Sequence, residues 1–183
     1  RLWYRQAGTP VIEARGVYDA AARTYSLDLT QSLAPTPGQP DKKPMHIPVR
    51  IGLVGKSGAH IPLTLEGENH AGPISRVLEL TENFQRFTFI DVSEEPLLSL
   101  GQDFSAPAIF RTPHGRHDRA TLMGKDSDAF NRWEAGQILA AEIMLEVAGK
   151  SRADANTDYI TAIGDVLADA ESDPAFAAQM LFP

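Results

Sequence analysis

The segment "HGRHD" places His114, His117 and Asp118 within five residues. Two imidazoles three positions apart, with a carboxylate next to the second, could chelate a divalent cation from a turn or from one face of a helix. Arg116 and Arg119 lie among them and would repel a cation, so the reading preferred for this segment is a solvated link between two halves of the chain. His46, His60 and His70 fall singly among strand and turn positions and read as surface or packing histidines. "SEEPLL" offers the adjacent carboxylates Glu94 and Glu95, but neighbours in an extended chain point to opposite sides, and a polar turn before a strand accounts for them. Ser57 and Ser105 have no motif that would pair them with a base. The sequence has no His-Glu-x-x-His, no G-x-S-x-G, no P-loop, no G-x-G-x-x-G and no cysteine thiol.

The other candidate is "DAFNRWEAGQ", Asp128 to Gln137. On a helix Phe130, Trp133 and Gln137 share a face, with Arg132 about 100° away. Chemistry here would need a base or nucleophile, and Glu134 is the only group available for it. The structural reading makes Trp133 a large core anchor. Arg132, Glu134 and Gln137 then bond groups at a seam between two packed parts, which suits the fixed fork of five donors on arginine.

Two kinds of sequence meet at that seam. Eleven of the 13 prolines precede residue 114, which is hostile to helices and typical of short strands joined by turns. "TYSLDLT" alternates strictly, with Tyr25, Leu27 and Leu29 on one face. "VIEARGVYD" before it completes a hairpin, and "HIPVRIGLVG", "AHIPLTL", "SRVLELT", "QRFTFIDV" and "APAIFRT" supply further strands. About seven strands at this spacing predict an immunoglobulin-like β-sandwich. "APTPGQPDKKP" (34–44) reads as an extended crossover or surface loop. After Pro113 the pattern turns helical. Asp128 is the expected N-cap of a helix ending at Gly149, with Phe130, Trp133, Gln137, Ala141, Met144, Leu145 and Ala148 as its stripe. A second helix is predicted over roughly 154–170 with Tyr159, Ile160, Ile163, Val166 and Leu167 inward, and Asp173-Pro174 opens a third. The fold class predicted is mainly β with α: a sandwich over 1–115, then a short antiparallel helical segment over 116–183. Residues 116–183 carry 6 basic and 12 acidic groups, against 11 and 12 before them, so the helical part holds nearly all of the formal charge of −7. Its three short helices form a thin layer for so much apolar surface, and something outside the sequence is expected to cover it.

Composition bounds the function further. An acidic balance with no dense Lys/Arg cluster argues against a nucleic-acid or anionic-membrane surface. No apolar run approaches the roughly 20 residues of a membrane helix. The lack of cysteine fits a reducing compartment. A chain opening "RLWYRQAGTP", without Met, reads as a piece of something longer.

"QAGTPV" (6–11), "KPMHIPVRIGL" (43–53), "FSAP" (104–107), "DAFNRWEAGQ" (128–137) and "DPAFAAQML" (173–181), in this order and spacing, resemble the bacterial aminopeptidase N family of zinc peptidases over essentially the whole chain. The resemblance implies a four-part parent: an N-terminal β domain, a thermolysin-like zinc domain, a small β-sandwich and a large C-terminal helical domain. This sequence matches the sandwich and the first helices of the last part. The family's zinc motif and its Gly-Ala-Met-Glu-Asn motif belong to the second part, so no catalytic, cofactor-binding or metal residue is expected here. For Asp128, Phe130, Arg132, Trp133 and Gln137 the implied role is packing. The expected function is that of a non-catalytic scaffold holding the catalytic domain against the helical one in a cytoplasmic enzyme that removes N-terminal residues from peptides. Its partners would be those two domains, with zinc bound only in the parent. The alternative is a free-standing immunoglobulin-like module that binds protein or carbohydrate.

Overall fold

The computed structural model describes residues 2–148 and 156–182. A single 3-10 turn, Leu2–Tyr4, precedes nine strands. They are β1 (Val11–Asp19), β2 (Thr24–Ser32), β3 (Ile47–Val54), β4 (His60–Ile61), β5 (Thr64–Leu65), β6 (Ser75–Leu80), β7 (Phe84–Ile90), β8 (Leu97–Leu100) and β9 (Ile109–Arg111). Four helices follow: α1 (Arg116–Lys125), α2 (Ala129–Ala148), α3 (Thr157–Ala168) and α4 (Pro174–Met180). The strands form a five-stranded sheet in the order β5-β7-β2-β1-β9 and a smaller one built on β3, which pairs β4, β6 and β8. Every pairing among them is antiparallel except β1 with β9.

The period-2 pattern fixes the inner faces. β2 turns Tyr25, Leu27, Leu29 and Gln31 inward, and β3 turns Ile47, Val49, Ile51 and Leu53 inward to meet them. The proline-rich 34–44 stretch is indeed the crossover between the two sheets. Buried Gln31 closes it from inside, donating to the Met45 and Glu82 carbonyls and accepting from Met45 N–H. Gln6 and Lys43, from two of the segments that carry the family resemblance, exchange reciprocal hydrogen bonds of 2.9 and 2.7 Å outside.

The small sheet serves two cores. On β8, Leu98 and Leu100 face the sandwich interior, while Leu97 and Ser99 point the other way. In register beside them on β3, Leu53 joins the sandwich core and Val54 packs with Met123, Ala135 and Leu139 of the helices. Strand alternation alone therefore splits one sheet between two hydrophobic clusters.

Four expectations need correction. The segment taken as a solvated link is α1: Asp118 accepts from Gly115 N–H at its start, and Ala120, Leu122 and Met123 are buried. The buried line of α2 is Asn131, Ala135 and Leu139, not the stripe through Phe130, Trp133 and Leu145, and Leu145 is 77% exposed. Both lines repeat at helical spacing in an almost uniformly apolar helix, and only the position of β8 and α1 selects between them. On α3, Ala162 and Val166 are buried while Ile160 and Leu167 are exposed. Glu94 and Glu95 do not point apart, because the chain bends there: both reach the turn after β3, where Glu94 meets Lys56 N–H and Glu95 its ammonium. Two expectations hold as read, with Asp128 Oδ1 accepting from Asn131 N–H and Asp173 Oδ1 from Phe176 N–H. The predicted stop at Gly149 and the helix start at 154 lie outside the described residues.

After β8 the chain must reverse under the ring of Phe110. Gly101 does this at φ 79°, where a Cβ would stand 2.6 Å from that ring. Gly101→Ala is expected to destabilise the chain by at least about 1 kcal/mol, from the left-handed conformation alone. A urea unfolding midpoint no lower than that of the unaltered chain would disprove this.

Candidate functional site

The polar residues singled out above gather where the helices meet the small sheet. The centre is Ser99, buried on β8. Its oxygen accepts from Gln102 Nε2 at 2.9 Å on the sandwich side and from Asn131 Nδ2 at 2.8 Å on α2. A hydroxyl has two lone pairs and one proton. Both lone pairs are therefore used in joining the two halves of the chain. Gln102 is oriented in turn by Ser75, whose hydroxyl donates to Oε1 at 2.6 Å. Asn131 also donates to the Leu100 carbonyl at 3.2 Å. Asp128, the α2 cap, reaches back across the seam and accepts from Asp103 N–H at 2.9 Å. The chain of bonds Ser75–Gln102–Ser99–Asn131 thus crosses the whole joint.

Asp126 and Asn131 are both buried. Burial pushes the Asp126 carboxyl up, opposed by hydrogen bonds from Ser99 and from the Asp128 N–H. Burial likewise lowers the His114 imidazole, whose Nε2 lies 2.8 Å from the Leu98 carbonyl, and raises the Glu134 carboxyl. His114, Glu134, Asn131, Arg119 and Thr112 line a cleft of about 80 Å³ at the seam. A carboxyl shifted up and an imidazole shifted down on one cleft wall are the raw material of acid–base chemistry, although Glu134 itself is largely exposed. Size decides against it: the space suits a few waters, whereas small-molecule sites run to about 300–1,000 Å³. Asp126 Oδ2, Asn131 Oδ1 and Trp133 Nε1 are buried without a protein partner among the described residues.

The "HGRHD" residues do not converge. His114 is tied to β8, whereas His117 sits on α1 with Nδ1 3.3 Å from Asp158 of α3, and Asp118 caps α1. Arg116 and Arg119 pair with α2 instead, Arg116 with Glu142 and Glu146, Arg119 with Glu142 at 3.1 Å. No group of three His, Asp or Glu among the described residues could hold a metal ion, so the donor set of a peptidase zinc site does not fit any position in them.

Arg132 is joinery, but not at the seam predicted for it. Its Nε donates to the Met123 carbonyl at 3.0 Å and its Nη2 to Asp169 at 3.2 Å, and the guanidinium lies 4.8 Å over the Phe176 ring. One side chain of α2 therefore holds the end of α1, the end of α3 and the start of α4. Trp133 is only half-buried, its ring tilted against Phe130 at 6.2 Å, and the fully buried anchor of α2 is Leu139. Gln137 is half-buried. Sequence reading missed Asn131, Asp126 and Ser99, although "SDAFN" carries a signal: an Asn one turn into an apolar helix is a buried polar group that needs a partner.

With this geometry in view, the comparisons are informative. Residues 8–113 match the family model described as "Domain of unknown function (DUF3458) Ig-like fold". The chain belongs to this family. Residues 116–183 match a companion model described as "DUF3458_C ARM repeats". Aminopeptidase N of Escherichia coli (strain K12) is 34% identical over 185 residues, covering 99% of this chain and 21% of that protein. Aminopeptidase N of Caulobacter vibrioides is 41% identical over 180 residues, covering 98% and 20%. A crystal structure of Legionella pneumophila aminopeptidase A in complex with aspartic acid aligns over 98% of this chain and 19% of its own, with a TM-score of 0.76 at 20% identity, and so shares the fold. The chain spans about a fifth of the length of the curated relatives it matches, and the resemblance to aminopeptidase N extends over its whole length.

Two outcomes are expected for the seam. Asn131→Leu leaves Leu100 and Ser99 short of a donor and should lower stability by about 1–3 kcal/mol, whereas Arg132→Lys should also destabilise because an ammonium cannot span three helix ends. The Asp126 carboxyl is raised in the folded chain, so the folded state binds the extra proton. Its stabilising effect is complete below the ordinary carboxylate range and is lost as pH rises through the raised value. Asp126→Asn should therefore flatten the fall in stability on going from acid to neutral pH. Equal slopes for the two proteins in denaturant titrations at several pH values would refute this.

Proposed function

We propose that this chain is a non-catalytic structural segment of a zinc aminopeptidase of the aminopeptidase N type. In this reading a sandwich unit (1–115) and the first helices of a helical unit (116–183) hold the catalytic part and the rest of the helical part in fixed relation. The observation that carries the reading is the seam. Ser75, Gln102, Ser99 and Asn131 hydrogen-bond one another across it, and the cleft beside them is too small for a peptide.

Three further observations support it. The relatives carry the matched stretch inside chains about five times longer. The family models meet between residues 113 and 116, where β9 gives way to α1. The helical half presents Ile138, Met144, Leu145, Ile160, Leu167 and Phe182 to solvent, an open apolar face of the kind that the next pair of helices closes in a stacked-repeat array. The parent would bind zinc and peptide substrate through residues outside 1–183, with no catalytic, cofactor or metal residue in this segment. A cytoplasmic location goes with this reading, since a cysteine-free chain is at home in a reducing compartment. A free-standing binding module would leave the open helical face unexplained.

Two measurements test the proposal. The 183-residue chain should hydrolyse an alanyl chromogenic substrate no faster than buffer. The full gene product should hydrolyse it, contain about one zinc per chain, and lose activity to a chelator. In that product Arg132→Ala should lower the melting temperature while kcat stays within about twofold, because kinetics report interactions made in the transition state. Normal stability with a hundredfold loss of kcat would place Arg132 in the active site and end the scaffold reading.

A further inference from the structure

The loop Gly101–Ser105 holds an unusual conformation to unusual effect. Asp103 and Phe104 are both left-handed, at φ 54° and 50°, without the freedom of glycine. Such strain persists only where the surroundings over-determine it, and here they do. Gly101 N–H donates to the Arg50 carbonyl, Arg50 N–H to the Ser105 hydroxyl at 3.0 Å, and Asp103 N–H to Asp128. The Asp103 carboxylate meets the Arg50 guanidinium at 2.9 Å. The product of all this bonding is an aromatic ring held outward: Phe104 is 59% exposed, touching protein edge-on at Phe130, 5.5 Å away.

The ring does not stand alone. The helices cover the outer face of the small sheet only at the β8 end, where Val54 and Leu97 join the helical cluster. The 101–105 loop covers a further part, with Gln102 over Gly52 and bonded to Ser75, and beyond it Val77 on β6 is exposed directly across from Arg50 on β3. The contact of Phe104 with Phe130, and of Phe130 with Trp133, continues the covered seam onto this exposed strip. The charges along the strip are already matched, Arg50 with Asp103 and His46 with Glu79 at 3.6 Å, which leaves the apolar groups as what it offers.

We propose that Phe104 and the neighbouring strip around Val77 form a second docking surface, on which an apolar patch of another part of the same polypeptide, outside residues 1–183, seats the Phe104 ring. This rests on the reading above that the chain is part of a longer enzyme. The occupant follows from the length of the relatives, four-fifths of which lies outside the matched stretch, and from the continuity of the strip with the seam. The contact differs from the open helical face: it lies on the sandwich, and its anchor is a single rigid aromatic ring.

The test is hydrogen exchange on the full gene product, comparing it with its Phe104→Asp and Phe104→Leu variants. Phe104→Asp is expected to speed exchange about tenfold in at least one peptide outside residues 1–183, as well as in the 101–105 loop, and Phe104→Leu to restore most of the protection. Changes confined to residues 1–183 would overturn the proposal, because Phe104 would then serve internal packing alone. Outside changes that vanish on dilution, with a matching shift from dimer to monomer, would also overturn it in favour of a second copy. Hydrolysis of the alanyl substrate by the unaltered product reports separately on the aminopeptidase reading. A full-length product that is inactive but loosened by Phe104→Asp would refute that reading and leave the docking surface standing.

Discussion

The structure depends on one buried hydroxyl that is shared between its two halves. Ser99 accepts from the sandwich through Gln102 and from the helices through Asn131. In a low-dielectric interior each of these groups would be costly if left unpaired. The two halves therefore meet in the geometry that pairs Ser99 with Gln102 and Asn131 together. Hydrophobic contact around the network, Val54 and Leu97 against Met123 and Leu139, supplies attraction without direction. The polar chain supplies the direction.

The same economy explains why the short strand β8 matters so much. With only four residues, it feeds Leu98 and Leu100 to the sandwich and turns Leu97 and Ser99 to the helices. A slip of one residue would exchange the two sets and bury the hydroxyl among aliphatic groups of the sandwich. Gly52, beside Ser99 in register, completes the fit: a Cβ there would come within 2.5 Å of the Gln102 amide that the network requires.

The helical half is joined differently. Arg132 ties three helix ends to a fourth helix through two carbonyls, a carboxylate and an aromatic face. This arrangement holds short helices in place without enclosing them, and α2 and α3 keep Met144, Leu145, Ile160 and Leu167 in solvent.

What the sequence determined by itself was everything encoded in a local period or a local bond. Strict alternation in "TYSLDLT" and "HIPVRIGLVG" gave β2 and β3 with the correct inward faces, because a strand's two sides are fixed by chain geometry alone. Asp128 and Asp173 announced helix starts, because a cap bonds to an amide only three residues away. The five segments shared with aminopeptidase N marked the family. The tertiary structure decided the rest. An apolar helix such as α2 has several possible buried lines, and only contact with β8 and α1 chose Asn131, Ala135 and Leu139 over the line through Trp133. The hydrogen-bond partners of Arg132 lie 8 to 37 residues away at the ends of α1 and α3, and those of the Asn131 amide group 31 and 32 away on β8, elements whose placement no local pattern records. A polar residue's type shows that it will need a partner, but the identity of that partner is settled only when the chain has closed around it.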